Sequence, residues 1–323
     1  MNPCSNPKPM SRREALHRVS VAVGAAVTGP ALAVRGAEGD RLAMGEKPFI
    51  YCLNTGTIRG QKLGIAGEVE VAAKAGYQAI EPWVSSLSDY AKTGGSLKDL
   101  RTRIQDLGLT VESAIAFPSW VVDDDATRAK GLEQARREMD LIAQIGGKRI
   151  AAPPVGATQQ PGLDLMKAAE RYRALLELGD QLGVVPELEL WGSSKNLHRL
   201  GEVAFVATES GHPHACVVGD VFHIYKGGSD FRGLRLFSAR ALPVFHLNDY
   251  PDQPPRDQMN DSHRVLPGDG VAPLSQILRD LRAAGGGTVL SLELFNRTYW
   301  EQDALQVARA GLEKMRAIIA DRK

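Results

Sequence analysis

The sequence predicts a single (β/α)8 TIM barrel of the α/β class behind an N-terminal export signal. Three observations carry this. Short apolar runs alternate with amphipathic ones from Phe49 onward. About eight such pairs fill roughly 270 residues, the usual size of such a barrel. Strands separated by helices of this length pair in parallel, and no linker, repeat or low-complexity tract divides the chain beyond residue 47. A doubly wound open sheet shares the alternation and is the structural alternative.

Strand one is expected over Phe49–Asn54, followed by an Ala-rich helix that stops at Gly76, a natural cap. Gln78–Glu81 reads as strand two, Ser96–Leu107 as a helix and Leu109–Ala116 as strand three. The helix over Thr127–Ile145 carries charges on one face, and Gly146-Gly147 ends it before strand four, Lys148–Ala152. A helix over Leu163–Leu182 leads to strand five, Val184–Leu190. The next helix spans Asn196–Ser210, and strand six follows from Ala215 to Asp220. A short helix, Phe231–Ser238, precedes strand seven ending at His246. Pro273–Ala284 is a helix with proline in its first turn. Strand eight ends at Glu293, and Asp303–Arg322 closes the chain. The long irregular stretch Asp249–Asp269 has the size of a functional loop.

Composition sets limits on function. The chain has 323 residues, 43% hydrophobic and 24% charged, with a formal net charge of +1. That is ordinary globular composition without a field that gathers nucleic acid or acidic membrane. Cys4, Cys52 and Cys216 are far apart and form no C-x-x-C pair, so neither a disulfide framework nor a structural zinc site is indicated. Cys216 reads as an inert core thiol.

Residues 1–33 read as a twin-arginine signal peptide, 34–47 as a linker and 48–323 as the barrel. Ser11-Arg12-Arg13-Glu14 precedes a small-residue apolar run ending in Ala31-Leu32-Ala33, the order of a secretory signal. The run is too short and too rich in Ala and Gly for a stable membrane anchor. The expected partner is the twin-arginine export machinery and the expected location the periplasm; a frayed cytosolic tail is the plain alternative. Loss of residues 1–33 removes Lys8, Arg12, Arg13, Arg18 and Glu14 and leaves a net charge of −2.

The chemistry gathers at strand ends. In such a barrel the C-terminal ends of all strands share one face, where active sites sit. Glu189, Asp220, His246 and Glu293 close strands five to eight. Three carboxylates and an imidazole form a mostly oxygen set suited to a divalent metal, Mn2+ first, with Mg2+, Co2+ or Zn2+ as other choices. Glu187 is a rival to Glu189, being on the same face two residues earlier. The bland alternative is that these groups merely face solvent at loop mouths. Glu81, Trp83 and Trp120 follow strands two and three as a polar acid beside aromatic faces, a common sugar-binding combination; packing of the barrel rim is their other reading. Asn54 ends strand one, and Asp249 opens the long loop as a further substrate contact. His212 and His214 lie on the helix-to-strand side and read as surface.

Several motifs, E-L-W-G at Glu189, G-D-V-F-H-I-Y-K-G-G from Gly219, H-L-N-D-Y-P from His246, R-V-L-P-G-D-G from Arg264 and S-L-E-L-F-N around Glu293, resemble the xylose-isomerase-like sugar phosphate isomerase/epimerase superfamily. The resemblance covers essentially the whole chain after the signal, through the order and spacing of the motifs. It implies a metal quartet like that of ketose 3-epimerases at Glu189, Asp220, His246 and Glu293, with His223 and Arg264 contacting substrate oxygens. Arg264 as a surface ion pair with Asp261 or Asp269, and His223 as a holder of a metal ligand, remain open. The expected activity is that of a metal-dependent sugar isomerase or epimerase. The metal polarises a carbonyl, and Glu189 and Glu293 remove and return a proton through an enediolate. The long loop after strand seven departs from the compact one of those epimerases, so it bears on which sugar is taken.

Other classes compete. A 3-keto-glycoside lyase or hydrolase would use the same groups and expel a leaving group in place of reprotonation. The apurinic endonucleases of this barrel need further histidines near strands two and three, and here none lies between His17 and His198. The near-neutral charge also argues against nucleic acid. A non-catalytic sugar-binding role is the third class. The partner expected is a small sugar, and a homo-oligomer is compatible with the sequence.

Overall fold

The computed structural model describes residues 47–320. The expected export signal and all of the expected linker except Lys47 lie outside the described residues. The eight expected strands are present: β1 Ile50–Asn54, β2 Ala79–Glu81, β3 Thr110–Val111, β4 Arg149–Ala152, β5 Val185–Glu189, β6 Val217–Asp220, β7 Val244–Leu247 and β8 Val289–Leu292. They pair in parallel in the order β3-β2-β1-β8-β7-β6-β5-β4. The ring closes where the Ala151 amide donates to the Ala114 carbonyl at 2.8 Å, just past β3. The sheet is a closed barrel, not an open doubly wound one.

Helices cover its outside: α1 Gly64–Ala75, α2 Val84–Lys92, α3 Leu97–Asp106, α4 Asp125–Gln144, α5 Leu165–Leu182, α6 Leu200–Glu209, α7 Val221–Gly227, α8 Leu274–Ala283, α9 Arg297–Trp300 and α10 Ala304–Ala320. Many starts follow local capping chemistry. Ser96, Asp124 and Asp164 each accept a backbone N–H from the first turn of the helix they precede. Gly76 ends α1 at φ 94° and donates to the Ala72 and Ala73 carbonyls, a left-handed position that a side chain would strain. None of the described helices is long and apolar enough to cross a membrane.

Alternation along the strands determines what faces the barrel axis. Outward residues such as Leu53, Ile80, Leu188, Val217, Phe245 and Leu290 pack into the main core. Inward residues form layers. Cys52, Ala79, Val218, Val244 and Val289 make a small apolar cluster. Two residues further along each of these strands stand Asn54, Glu81, Asp220, His246 and Ser291. Because both faces of a parallel sheet are buried, the strands read as apolar runs until the polar layer is reached.

Several boundaries differ from expectation. β3 is only two residues long, and the chain from Glu112 to Ala116 continues with one isolated bridge, Ile115 to Trp83. The helix expected from Asn196 begins at Leu200, because Asn196 instead binds the 157–163 loop through the amides of Gly162 and Leu163 and the carbonyls of Ala157 and Gln160. Pro273 is the residue before α8. Phe231–Leu236 is a 3-10 turn. Three short helices were not expected, α2, α7 and α9. In α7 the cap is Asp220 itself, whose Oδ1 accepts the His223 amide at 2.7 Å.

Candidate active site and metal centre

A cavity of about 400 Å3 opens at the C-terminal end of the strands, and Glu189, His223, Arg264 and Glu293 line it. Asp220 and His246 lie behind Glu293, which lines it; each of the three offers a ligand atom within 4.8 Å of the others, and all three are buried. His246 Nδ1 stands 3.2 Å from Glu293 Oε2 and 3.6 Å from Asp220 Oδ2. It makes no hydrogen bond, although it is fully buried. One imidazole nitrogen and two carboxylate oxygens converging in a buried spot make a donor set suited to a cation. These residues fit a divalent metal.

The ring is held from behind. His246 Nε2 lies 3.1 Å from the Glu81 carboxylate. Glu81 in turn accepts from Asn54 Nδ2 at 2.9 Å and Ser291 Oγ at 2.6 Å. This carboxylate–imidazole arrangement fixes the orientation of a ligand histidine. Burial opposes an imidazolium here, yet Glu293 and Glu81 hold the His246 pKa well above its ordinary value. A cation bound at Nδ1 must therefore displace a proton. Glu81 was expected to touch substrate. It is fully buried and does not line the cavity; it faces the His246 ring instead.

Arg264 is also corrected in part. The surface ion pair is excluded, because its guanidinium is fully buried. Nη1 donates to Asp220 Oδ2 at 2.7 Å and to Glu293 Oε2 at 2.8 Å. Nη2 donates to Asp261 at 2.6 Å, and the Phe222 and Phe295 rings flank the group at 5.0 and 5.1 Å. Burial would raise the Asp220 pKa, but Arg264, then His223 and His246, hold it well below the carboxylate range. A metal and Arg264 would share lone pairs of the same two oxygens.

His223 Nδ1 lies 3.3 Å from the Gly192 amide and Nε2 lies 3.1 Å from Arg264 Nη2. Burial lowers its pKa, and a neutral ring has one acceptor nitrogen, so one of these two donors can be satisfied.

Glu189 lies on the cavity wall and is not among the three groups that converge most closely. Burial pushes its pKa up to about 8; His246 opposes this, and Glu293 and Asp220 add to it. Glu187, the rival, points into the barrel below. It accepts from Ser113 at 2.7 Å and lies 3.8 Å from Arg149.

Asp249 is not a substrate contact. Its carboxylate accepts the amides of Tyr250, Gly268, Gly270 and Ala272 at 2.8 to 3.1 Å, and it does not line the cavity. Those bonds fold the long loop back, and an antiparallel bridge from Asp249 to Val265 places Arg264 beside Asp220 and Glu293. Trp83 does line the cavity, packed on Phe117 at 5.1 Å and Phe295 at 6.0 Å. Trp120 is fully buried and donates to the Pro153 carbonyl, so it packs the fold.

Sequence reasoning passed over Asn248. Its Oδ1 accepts the Phe222 amide and its Nδ2 donates to Asp220 Oδ2 at 3.2 Å. Its position two residues after His246, on the same strand face, was the available signal. Asn54 is more central than its weak sequence signal implied. It donates to Glu81 and to Glu293 Oε1 at 3.0 Å and accepts from Trp83 Nε1.

Comparison with known proteins agrees with this fold. Residues 69–318 match the family model described as xylose isomerase-like TIM barrel. An inosose isomerase of Bacillus velezensis is 24% identical over 273 residues, covering 83% of this chain and 96% of that protein. A 3-dehydro-D-guloside 4-epimerase of Escherichia coli is 23% identical over 203 residues, 58% of this chain and 73% of that one. A 3-dehydroshikimate dehydratase of Pseudomonas putida is 25% identical over 256 residues, 77% of this chain and 39% of that one. Among solved structures, an IOLI protein with a bound zinc atom superposes with a TM-score of 0.79 at 21% identity, covering 85% of this chain and 99% of that chain.

Proposed function

Because the chain belongs to the xylose isomerase-like TIM barrel family, we propose that it is a metal-dependent isomerase or epimerase of a sugar or related polyol. The reaction proposed is removal of a proton beside a carbonyl through an enediolate. The observation that carries this is the convergence of Asp220 Oδ2, His246 Nδ1 and Glu293 Oε2 beside a cavity that Glu293 lines, with a further carboxylate, Glu189, on its wall. The three activities named among the relatives, isomerase, dehydro-sugar 4-epimerase and dehydroshikimate dehydratase, share loss of a proton next to a carbonyl.

Asp220, His246, Glu293 and Glu189 would hold the cation, whose contribution when bound is Lewis acidity toward the carbonyl. A mostly oxygen donor set favours Mn2+; zinc is the ion in the IOLI structure, and metal analysis of the purified chain decides between them. The protein's own groups do the rest. Glu189, the carboxyl on the cavity wall, is placed to return the proton, and burial favours its protonated form whenever it is not bound to the cation. Glu293, on the neighbouring side, accepts from Asn54 and Arg264 and is placed to take the substrate proton. Two carboxyl groups in different environments divide the acid and base roles. Arg264 supplies fixed positive charge for a developing oxyanion.

The test is incubation of the metal-loaded chain in D2O with ketoses and 3-keto-glycosides, read by NMR. Deuterium appearing beside the carbonyl is the expected result. Glu293→Gln should lose exchange at least about a hundredfold while melting as the parent does. No exchange on any substrate with Mn2+ or Zn2+ would overturn the proposal.

A second reading, cleavage of a 3-keto-glycoside, is favoured by one feature. Trp83, Phe117, Trp191 and Phe295 form a continuous aromatic wall with ring centroids 5.1 to 6.0 Å apart, more apolar surface than a single polar ring needs. Release of an aglycone in the same experiment would identify this reaction. Export to the periplasm by the twin-arginine machinery belongs to the proposal too; replacing Arg12 and Arg13 by lysine should retain the chain in the cytoplasm.

A further inference from the structure

At the opposite end of the barrel, two histidines meet one carboxylate. Asp180 lies near the end of α5, and His212-Pro213-His214 forms the turn between α6 and β6. Asp180 Oδ2 is 3.2 Å from His212 Nε2, and Oδ1 is 2.9 Å from His214 Nδ1. One ligand atom from each residue falls within 4.8 Å of the others. Tetrahedral zinc with bonds of about 2.0–2.1 Å places its ligand atoms about 3.3–3.5 Å apart. Both His–Asp separations are already near that range.

The turn is built rather than loose. Gly211 is left-handed at φ 61°, Arg240 donates to the Pro213 carbonyl at 2.8 Å, and the Ala215 amide closes on the His212 carbonyl at 3.1 Å. The two imidazole rings are 5.6 Å apart, and the His212 side chain is only 6% exposed.

We propose that Asp180, His212 and His214 form a second metal site, for zinc or a similar borderline divalent ion, that ties α5 to the α6–β6 turn. Two imidazoles and a carboxylate suit such an ion, with water at the open position. The proton balance is simple. His212 Nδ1 accepts the His214 amide at a long 3.3 Å, so the neutral ring carries its proton on Nε2. Coordination through Nε2 moves that proton to Nδ1 and gives up the long contact. Any imidazolium proton on either ring is released to solvent. The catalytic residues lie at the other ends of the strands, so this site does not depend on the proposed reaction.

The test uses the full chain, stripped with chelator, reloaded with Zn2+, desalted and analysed for bound metal. The parent should hold one more zinc per chain than His212→Ala/His214→Ala, and Asp180→Asn should lose the same equivalent. Zinc should raise the melting temperature of the parent more than that of the double variant. Exchange activity at saturating metal should be equal in both. Equal zinc content in the parent and both variants, or an unchanged zinc-dependent melting shift, would overturn the proposal. Loss of exchange activity in the parent alone would bear on the catalytic reading and leave this site intact.

Discussion

His246 carries a large share of the site on one side chain. Its ring is locked between Glu81 behind and Asp220 and Glu293 in front. Its orientation is therefore set by the protein's own groups, and in the proposed metal site the carboxylate behind the ring would raise its strength as a ligand. Glu81→Gln keeps the shape but removes that charge. It should weaken metal affinity or activity by about ten- to a hundredfold with little change in fold, measured by metal titration and initial rates. An unchanged affinity would show that Glu81 only fills space. Glu187 and Glu189 show the limit of reading single residues. Both point inward from β5, yet only Glu189 reaches the cavity.

At the scale of elements, the segment after β7 matters most. Its length marked it as functional, and it contributes Arg264 and Asp261 to the cavity wall. Asp249 does not enter the chemistry. It collects four backbone amides that have no strand or helix to satisfy them. Asp249→Ala leaves those donors unpaired and should cost at least about 2 kcal/mol. It should also lower activity, because Arg264 loses its support. Thermal melting, limited proteolysis within 249–272 and rate measurements check this together; normal rates in a less stable chain would separate the loop's fold from Arg264's placement. The short helix α7 shows economy of the same kind, since Asp220 caps it and also faces His246.

For the whole molecule, stability should depend on pH through a group that does not line the cavity. Glu68 in α1 is buried with Oε2 unpartnered. Desolvation raises its pKa from an ordinary 4.5 to about 7, against opposing effects of Thr55 and Arg59. The folded chain thus holds this proton between about pH 4.5 and 7 while the unfolded chain releases it. Stability falls as pH rises through that window, and the full cost is present above it. Glu68→Gln should remove up to about 3 kcal/mol of that cost at pH 8 and change little below pH 4.5. Calorimetry across this range reads the difference; a gap between variant and parent that is independent of pH would refute it.

The sequence alone determined the barrel and the strand-end positions of Glu189, Asp220, His246 and Glu293. Strands buried on both faces read as short continuous apolar runs, and the polar residue that ends each run is a local record of where the strand stops. It could not assign the work of Glu81, Asp249 and Arg264, because a carboxylate looks the same in a sequence whether it meets a substrate, a ring nitrogen or four amides. Closure of the ring decided those roles. It brings residues as distant in sequence as Asn54 and Glu293, 239 positions apart, into hydrogen-bond contact. Which polar group stays free at the cavity is settled by which neighbours have already claimed its lone pairs, and that pairing exists only in three dimensions.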